Sequence, residues 1–304
     1  MIRAFYGIDT NPFSNDQALT LLPHQQEVFD ILKVHSHQGG LCLLMGEPGT
    51  GKTSIKNNII YQAEKTIMVV NVSRTLHTYF NIIKILCQSF SVDHSGSSFK
   101  CEKRLIEQAY NLNRRGKILI VIIDDAHLME MDSLRRLRLL CEDFPKNHNL
   151  ILIGHVHLLH SLSLRVNEDI KSRVTYSTVL KKLAPDDMES FIAHQLDVAG
   201  LAHNTFTENA LSLIIRSSDG ILRKARNLCL SCMVEAIRCK KKKIGIENVN
   251  RVLIQPHWRI ERDVEQLSER LEELVLDAFI AVLIKLNERS KLILKSVNEE
   301  DIQF

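Results

Sequence analysis

The chain has 304 residues, of which 45% are hydrophobic and 25% charged, so it is long enough for one large core and a smaller second domain. Its formal net charge of +3 excludes a uniformly basic protein, and any contact with nucleic acid has to come from local basic patches. The first residues lack the apolar segment of a secretory signal peptide, and we expect a cytoplasmic protein.

The sequence predicts neither a stable membrane insertion nor a metal site built from cysteines. The longest apolar stretch near the C-terminus, residues 274–284, contains Asp277 and is shorter than the roughly 20 residues that cross a bilayer. The seven cysteines are scattered, and the pair Cys229 and Cys232 lacks the second pair of ligands that a zinc site needs. We therefore expect buried thiols in a reducing compartment.

Short runs of Leu, Ile and Val alternate with helical patterns, as is typical of a parallel sheet that helices cover on both faces. The predicted strands are residues 41–45, 66–72, 118–123 and 150–153, with 174–180 as a fifth candidate. The predicted helices between them are residues 53–64, 79–90, 102–113 and 133–144. This alternation predicts an α/β fold.

A phosphate-binding loop follows the first predicted strand. Its residues are Gly46-Glu47-Pro48-Gly49-Thr50-Gly51-Lys52-Thr53, which fit G-x-x-x-x-G-K-[ST] between a strand and a helix. The glycines allow backbone N–H groups to close around phosphate oxygens. We predict that this loop and Ser54 bind ATP, with Lys52 on the β- and γ-phosphates and Thr53 on Mg²⁺.

The third predicted strand ends in two carboxylates, Asp124 and Asp125, which form a Walker B pattern. Asp124 is predicted to hold the Mg²⁺ shell, and Asp125 to polarise the water that attacks the γ-phosphate. In the alternative interpretation, the two acids only cap the next helix.

Three segments together resemble one branch of the AAA+ ATPases. They are the opening Phe5-Tyr6-Gly7-Ile8-Asp9-Thr10-Asn11-Pro12-Phe13, the phosphate-binding loop and Asp124-Asp125-Ala126-His127. The branch is that of general secretion pathway protein A, which also contains ATPase helpers encoded by transposons and insertion elements. The resemblance covers residues 1 to 257 and implies an oligomeric ATPase that uses Mg²⁺.

The resemblance implies roles for further residues. Relatives usually carry Glu where this chain has Asp125, so hydrolysis is expected to be slow or to depend on assembly. His155 falls where relatives have a polar residue that senses the γ-phosphate; a plain surface histidine is the alternative. The adenine base is expected near Pro12, Phe13, Leu22 and Pro23.

Two arginines are further candidates by resemblance. Arg173 matches the arginine that a neighbouring subunit inserts into the site, with Arg165 as the other candidate and a surface ion pair as the alternative. Arg223 matches the arginine of a G-x-x-R-x-x-x-N segment in the helical domain, where it would reach the γ-phosphate; an exposed helix charge is the alternative.

The β pattern stops before Pro185, which suits the first turn of a helix. We therefore predict three parts: a nucleotide-binding domain over residues 1–184, a small all-helical lid over 185–257 and a helical extension over 258–304. In the extension, Leu267, Leu271, Leu274 and Val275 have helical spacing, typical of a docking helix or of a solvated amphipathic tail.

Three functions agree with an ATPase core. The first is an accessory protein of DNA transposition that binds duplex DNA and a transposase; the second is an assembly ATPase of a secretion pathway; the third is an ATP-gated switch with little turnover. Secretion relatives carry a membrane segment and a periplasmic region beyond the ATPase domain, and the lack of both here favours the first. Basic clusters at residues 135–138, 223–226 and 238–243 are the candidates for DNA contact.

Overall fold

The computed structural model describes residues 1–13, 21–73 and 78–258. The predicted extension at 258–304 lies outside the described residues except for Trp258. Met1–Ile246 forms one compact unit, and the chain divides into a second unit from Glu247 onward. The predicted domain boundary near residue 184 stays a prediction.

Five strands form one sheet, and every neighbouring pair of strands is parallel. The strands are β1 (Gly40–Gly46), β2 (Ile67–Val72), β3 (Ile118–Ile123), β4 (Asn149–Gly154) and β5 (Val174–Leu180). Their order across the sheet is β2-β3-β4-β1-β5. The predicted α/β fold is confirmed, including the fifth candidate strand.

Helices connect and follow these strands. They are α1 (Ile2–Tyr6), α2 (Pro23–Gln38), α3 (Lys52–Tyr61), α4 (Tyr79–Ser89), α5 (Ser98–Arg114), α6 (Met131–Glu142), α7 (His157–Ser163), α8 (Glu168–Lys171), α9 (Pro185–Val198), α10 (Glu208–Ser218), α11 (Leu222–Arg238) and α12 (Ile246–Leu253). No helix among the described residues is both long and apolar enough to cross a membrane.

The core lies on both faces of the sheet, because successive side chains of a strand point to opposite sides. On β1, Leu43 packs into the layer formed with α4 to α7, whereas Leu44 packs with Phe29 of α2 and Ile55 of α3. Each strand therefore has to be apolar almost throughout. This is why the strands were readable from short hydrophobic runs.

The segment after β5 is helical, as the sequence predicted. Pro185 is the first residue of α9, where its fixed φ fits and its missing N–H is not needed, and Asp186 and Asp187 follow in the first turn. Helix α10 ends at Ser218, and its C-cap residue, Asp219, has a left-handed conformation with φ of 52° and leads into Gly220. This turn directs α11 back towards the end of the sheet that carries the phosphate-binding loop.

Candidate active site

The loop between β1 and α3 has a backbone that only glycine accommodates at two positions. Gly49 and Gly51 have φ values of 90° and 105°. A Cβ atom on Gly49 would lie 2.7 Å from Cβ of Arg223, and one on Gly51 would overlap the amide of Gln25. The glycines thus permit both the turn and the close approach of neighbouring elements. The amino end of α3 then faces the loop, as an anion site requires.

Side chains of the loop turn inward and stabilise it. Lys52 donates hydrogen bonds from Nζ to the carbonyl oxygens of Gly46, at 2.8 Å, and Glu47, at 2.9 Å. The hydroxyl of Thr50 donates to the same Glu47 carbonyl at 2.9 Å. The Lys52 ammonium is therefore held across the mouth of the loop, where a phosphate could replace its carbonyl partners.

The surroundings of Lys52 identify the charges that share this site. Burial lowers the pKa of Lys52 below its usual value, the carboxylate of Asp125 opposes this shift, and the cation of Arg223 adds to it. Weaker opposing contributions to the pKa come from Asp124 and Glu47. The fold thus brings together residues of the loop, of the β3 terminus and of α11.

Asp124 and Asp125 follow β3 and lie beside the loop. Asp125 has a left-handed backbone with φ of 52°, and its N–H donates to Oδ1 of Asp124 at 3.1 Å. Asp125 is exposed, and its side chain does not cap the short turn Ala126–Leu128. Helix α6 begins later and has Glu130 as its N-cap residue. The alternative that the two acids only cap the next helix does not agree with this geometry.

Lys56 is a site residue that the sequence analysis missed. Its Nζ lies 2.6 Å from Oδ2 of Asp124, and the two side chains are only 9% and 18% exposed. Lys56 is on the buried face of α3, four residues after Lys52. A lysine on a face with Ile55 and Ile59 signals a buried ion pair, but the sequence does not name the acid 68 positions away.

His155 follows β4 and is half-buried. Its ring centroid lies 6.0 Å from that of His127, which follows the β3 acids, and it stacks on His157 at 4.8 Å. Its Nδ1 accepts a hydrogen bond from the N–H of His157 at 3.4 Å. The structure therefore places the predicted sensor beside the Walker B segment.

The start of α11 packs directly on the phosphate-binding loop. The N–H of Arg223 donates to the carbonyl of Gly49 at 3.2 Å, while its side chain is exposed. Lys182 reinforces this contact, since its Nζ lies 3.1 Å from a carboxylate oxygen of Glu47 and 2.9 Å from one of Asp219. Lys182 therefore joins the loop to the turn before α11, a contact that the sequence analysis also missed.

Arg173 is the one predicted catalytic residue that the fold does not bring to the loop. It immediately precedes β5, which runs parallel to β1, whereas the loop follows the far end of β1. Its Nε lies 3.2 Å from Oε1 of Glu142, and its side chain is 64% exposed. Arg165 is exposed as well. The position of Arg173 does not allow it to act on the nucleotide site of its own chain.

The segment expected near adenine is tied to the loop by another missed residue, Gln25. Its Nε2 donates to the carbonyl of Thr50 at 3.3 Å, and its Oε1 accepts from the N–H of Leu22 at 3.1 Å. Pro12 and Phe13 are buried, whereas Pro23 is exposed. The amino end of α2 is thereby fixed against the phosphate-binding loop.

Comparison with known proteins places this geometry in a family context. Residues 34–162 match the family model of the AAA domain. General secretion pathway protein A of Aeromonas hydrophila is 27% identical over 245 residues, which cover 78% of this chain and 45% of the relative. The chain thus spans less than half the length of that relative.

Several solved structures are similar to this chain in fold. Cdc6p from Pyrobaculum aerophilum has a TM-score of 0.63 at 19% identity, covering 78% of this chain and 68% of its own. The Aeropyrum pernix ORC1 protein in complex with DNA has a TM-score of 0.61 at 17% identity, covering 79% of this chain and 67% of its own. The Thermotoga maritima RuvB Holliday junction branch migration motor has a TM-score of 0.55 at 18% identity, covering 89% of this chain and 80% of its own. At these identities the likeness shows the fold alone.

The buried pair of Lys56 and Asp124 leads to a stability prediction. Lys56→Met removes the cation and leaves a largely buried carboxylate, so unfolding should cost about 3 kcal/mol less than in the wild type. Lys56→Met combined with Asp124→Leu removes both charges and should recover most of this loss. Chemical denaturation monitored by circular dichroism measures the free energy of unfolding of the single and the double variant.

The matched control is Lys33→Met, because Lys33 pairs with Glu64 at 4.0 Å with side chains 47% and 53% exposed. Its effect should be at most about 0.5 kcal/mol. A double variant as unstable as Lys56→Met alone would show that the pairing does not cause the loss.

Proposed function

We propose that this chain, an AAA+ protein related to general secretion pathway protein A, binds and hydrolyses ATP with Mg²⁺ in an oligomer that associates with duplex DNA. The observation that carries the proposal is the convergence of Lys52, Asp125 and Arg223 at one end of the sheet. Two cations beside two carboxylates suit a triphosphate and its attacking water.

The residues of the loop fit the ligand. Because Gly49 and Gly51 have no Cβ atom, Arg223 and Gln25 can pack closely against the loop, and the left-handed backbone at both glycines suits a loop that binds phosphate oxygens through its N–H groups. Thr53 is exposed in the first turn of α3, and with Asp124 it offers the hard oxygen ligands that Mg²⁺ prefers. These two residues would hold Mg²⁺, which neutralises charge on the phosphates when bound.

The chain's own residues would then act in turn. Lys52 exchanges its carbonyl partners for phosphate oxygens, and Arg223 brings a second cation from α11. Asp125 orients a water and accepts its proton as the water attacks the γ-phosphorus, while the bond from that phosphorus to the bridging oxygen breaks and ADP leaves. Lys56 remains on Oδ2 of Asp124 and fixes its orientation, which leaves the other carboxylate oxygen for the metal shell. His155 completes the polar boundary next to the acids.

Arg173 supports an oligomeric site. Its exposed side chain sits at the end of β5 remote from its own loop, so we assign it to the site of a neighbouring copy. Glu142 holds it in the isolated chain, and the exposed ion pair is weak enough to exchange. The protein would therefore turn over ATP mainly when assembled.

The proposed process is that of an accessory protein in transposition, with a transposase as partner. Among the basic clusters, residues 240–243 form an exposed turn after α11 that suits phosphate contact. Arg135 and Arg138 do not, because Arg135 pairs with Asp132 at 2.7 Å and Arg138 with Glu142 at 2.7 Å. Solved relatives of the same fold include a protein bound to DNA, which supports this assignment.

A secretion-pathway assembly ATPase is the second candidate, and the 27% identity to general secretion pathway protein A favours it. A third possibility is an ATP-gated switch, in which the short carboxylate of Asp125 gives little turnover. These candidates share the nucleotide site and differ in partner and rate.

Variants of Asp125 test the catalytic assignment. Asp125→Asn should bind ATP as the wild type does but release phosphate about 100-fold more slowly, because the base is lost. Asp125→Glu should raise turnover, since its longer side chain reaches closer to the water. Phosphate release measures turnover and calorimetry measures affinity, with Lys52→Ala as the variant that loses binding. Wild-type turnover by Asp125→Asn would contradict the assignment.

A mixing experiment tests Arg173. Arg173→Ala should bind ATP normally and lose about 1,000-fold in turnover, because a neighbour's phosphate loses its cation. Mixed with Asp125→Asn, which keeps Arg173, it should regain part of the activity, since some interfaces then contain both groups. Arg165→Ala is the matched control. If the mixture recovers no ATP turnover and Arg165→Ala is inactive, the role of the arginine supplied by a neighbouring copy belongs to Arg165 instead.

Stimulation by DNA separates the candidate processes. With duplex DNA at low salt, turnover should rise several-fold, and added salt should abolish the rise because phosphate contacts are replaced by counterions. The measurement is phosphate release with and without DNA over a salt series. Equal turnover with and without DNA, together with no DNA complex at low salt, would instead favour the secretion candidate.

A further inference from the structure

A basic surface lies at the end of the sheet opposite the nucleotide site. The strands are parallel, so the segments that precede them meet at one edge. Five cations lie in these segments: Lys65 before β2, Arg114, Arg115 and Lys117 before β3, and Lys146 before β4. We call these five residues the basic edge. Against them stand two carboxylates, Glu64 and Asp143.

Direct contacts join these segments into one surface. The Lys117 ammonium donates to the carbonyl of Lys65. Asn113 Nδ2 donates to Oδ1 of Asn147 at 2.8 Å, which links the segments before β3 and β4. The N–H of Gly40 donates to the carbonyl of His148 at 2.9 Å, so β1 is connected as well. The edge is therefore built by the sheet and is not a set of independent loops.

The charge of this surface is not neutralised within the described part of the chain. None of the five cations forms an ion pair with a carboxylate there. Glu64 forms an ion pair with Lys33 instead, with Oε1 of Glu64 lying 4.0 Å from Nζ of Lys33. Lys65, Arg114, Arg115 and Lys146 are exposed, and Lys117 is half-buried. By contrast, the three arginines of α6 contact acids or, for Arg136, the ring of Tyr79.

We propose that the basic edge binds the phosphate backbone of duplex DNA. This inference rests on the DNA association proposed above and adds, to the turn at residues 240–243, a second surface that the sequence did not predict. The three neighbouring strand ends that carry the cations span about 10 Å, and the long side chains extend beyond this, so the cations can reach across the roughly 12 Å width of the major groove to phosphates on both sides. Phosphate contacts of this kind position a protein on DNA without reading its sequence.

The chemistry of the surface favours DNA over a membrane. Membrane-surface binding relies on large apolar side chains that enter the lipid, and none of the exposed large hydrophobic residues lies in residues 62–66, 113–117 or 143–148. Instead, the exposed hydroxyl of Thr66 adds a hydrogen-bonding group of the type that contacts phosphate.

Position in the fold has a functional consequence. The phosphate-binding loop follows the carboxyl end of β1, and the basic edge lies at the amino ends of the strands. DNA at this edge would leave the nucleotide site open, so both ligands can be bound together. Loss of DNA binding should therefore leave ATP affinity unchanged.

Pairs of charge-removing variants test the proposal by fluorescence anisotropy with a labelled duplex over a salt series. The edge variants are Arg114→Gln with Arg115→Gln, and Lys65→Gln with Lys146→Gln. Each should weaken DNA binding about tenfold at low salt and lower the slope of log Kd against log salt by about 2, because two phosphate contacts are lost. Arg114→Lys with Arg115→Lys keeps the charges and should bind as the wild type does.

The matched control is Lys100→Gln with Lys103→Gln, which removes two exposed charges from α5 away from the edge and should leave binding unchanged. Thermal unfolding and ATP affinity, measured on all variants, should equal those of the wild type. If the lower net charge alone reduces DNA binding, the control variant should bind DNA as weakly as the edge variants do. That result would overturn the proposal.

The outcomes separate this inference from the broader function. Wild-type protein that binds DNA while both edge variants bind equally well overturns the basic edge and leaves DNA association intact. If only the double variant Lys241→Gln with Lys242→Gln loses DNA binding, the basic edge is likewise overturned and DNA association remains. Wild-type protein that binds no DNA but binds vesicles containing phosphatidylserine through the edge overturns both DNA assignments.

Discussion

The parallel pairing of β3, β4 and β1 is the constraint on which the candidate active site depends. In this register Met45 lies beside Gly154, and Leu152 lies beside Ile123, so the three strands end nearly level. The phosphate-binding loop, His155 and the two acids follow these ends and must meet. Because ligands of open α/β sheets bind at the carboxyl ends of strands, the fold itself selects the location of the site.

Buried charges at the carboxyl ends of the strands are balanced by specific partners. The Lys56 ammonium and the Asp124 carboxylate are both removed from water, which is unfavourable for either alone, and each offsets the cost of the other. The pair also links α3, which begins at the loop, to the end of β3. A shift of either element would expose an unpaired charge, so the pairing restricts how the loop and the acids can move relative to each other.

The helical segment after β5 is coupled to the loop by close packing rather than by one strong bond. Gly49 allows Arg223 to approach, Gly220 lies against Leu183, and Lys182 bridges Glu47 and Asp219. The Lys182 pairs are partly exposed and individually weak. An element held by several weak contacts can change position when a ligand alters them.

The sequence by itself determined the strands, the phosphate-binding loop and the two acids, because each is a continuous segment with a local pattern. Only the tertiary structure decided which distant groups pair. Lys56 meets Asp124, Gln25 meets Thr50, and the arginines of α6 meet acids or an aromatic ring, so their charges are not available. The basic edge escaped the sequence analysis for the same reason, since its cations come from three separate segments. Crossover connections of a parallel sheet bring such segments together, and the strength of a charge interaction depends on distance and burial, which a linear pattern does not contain.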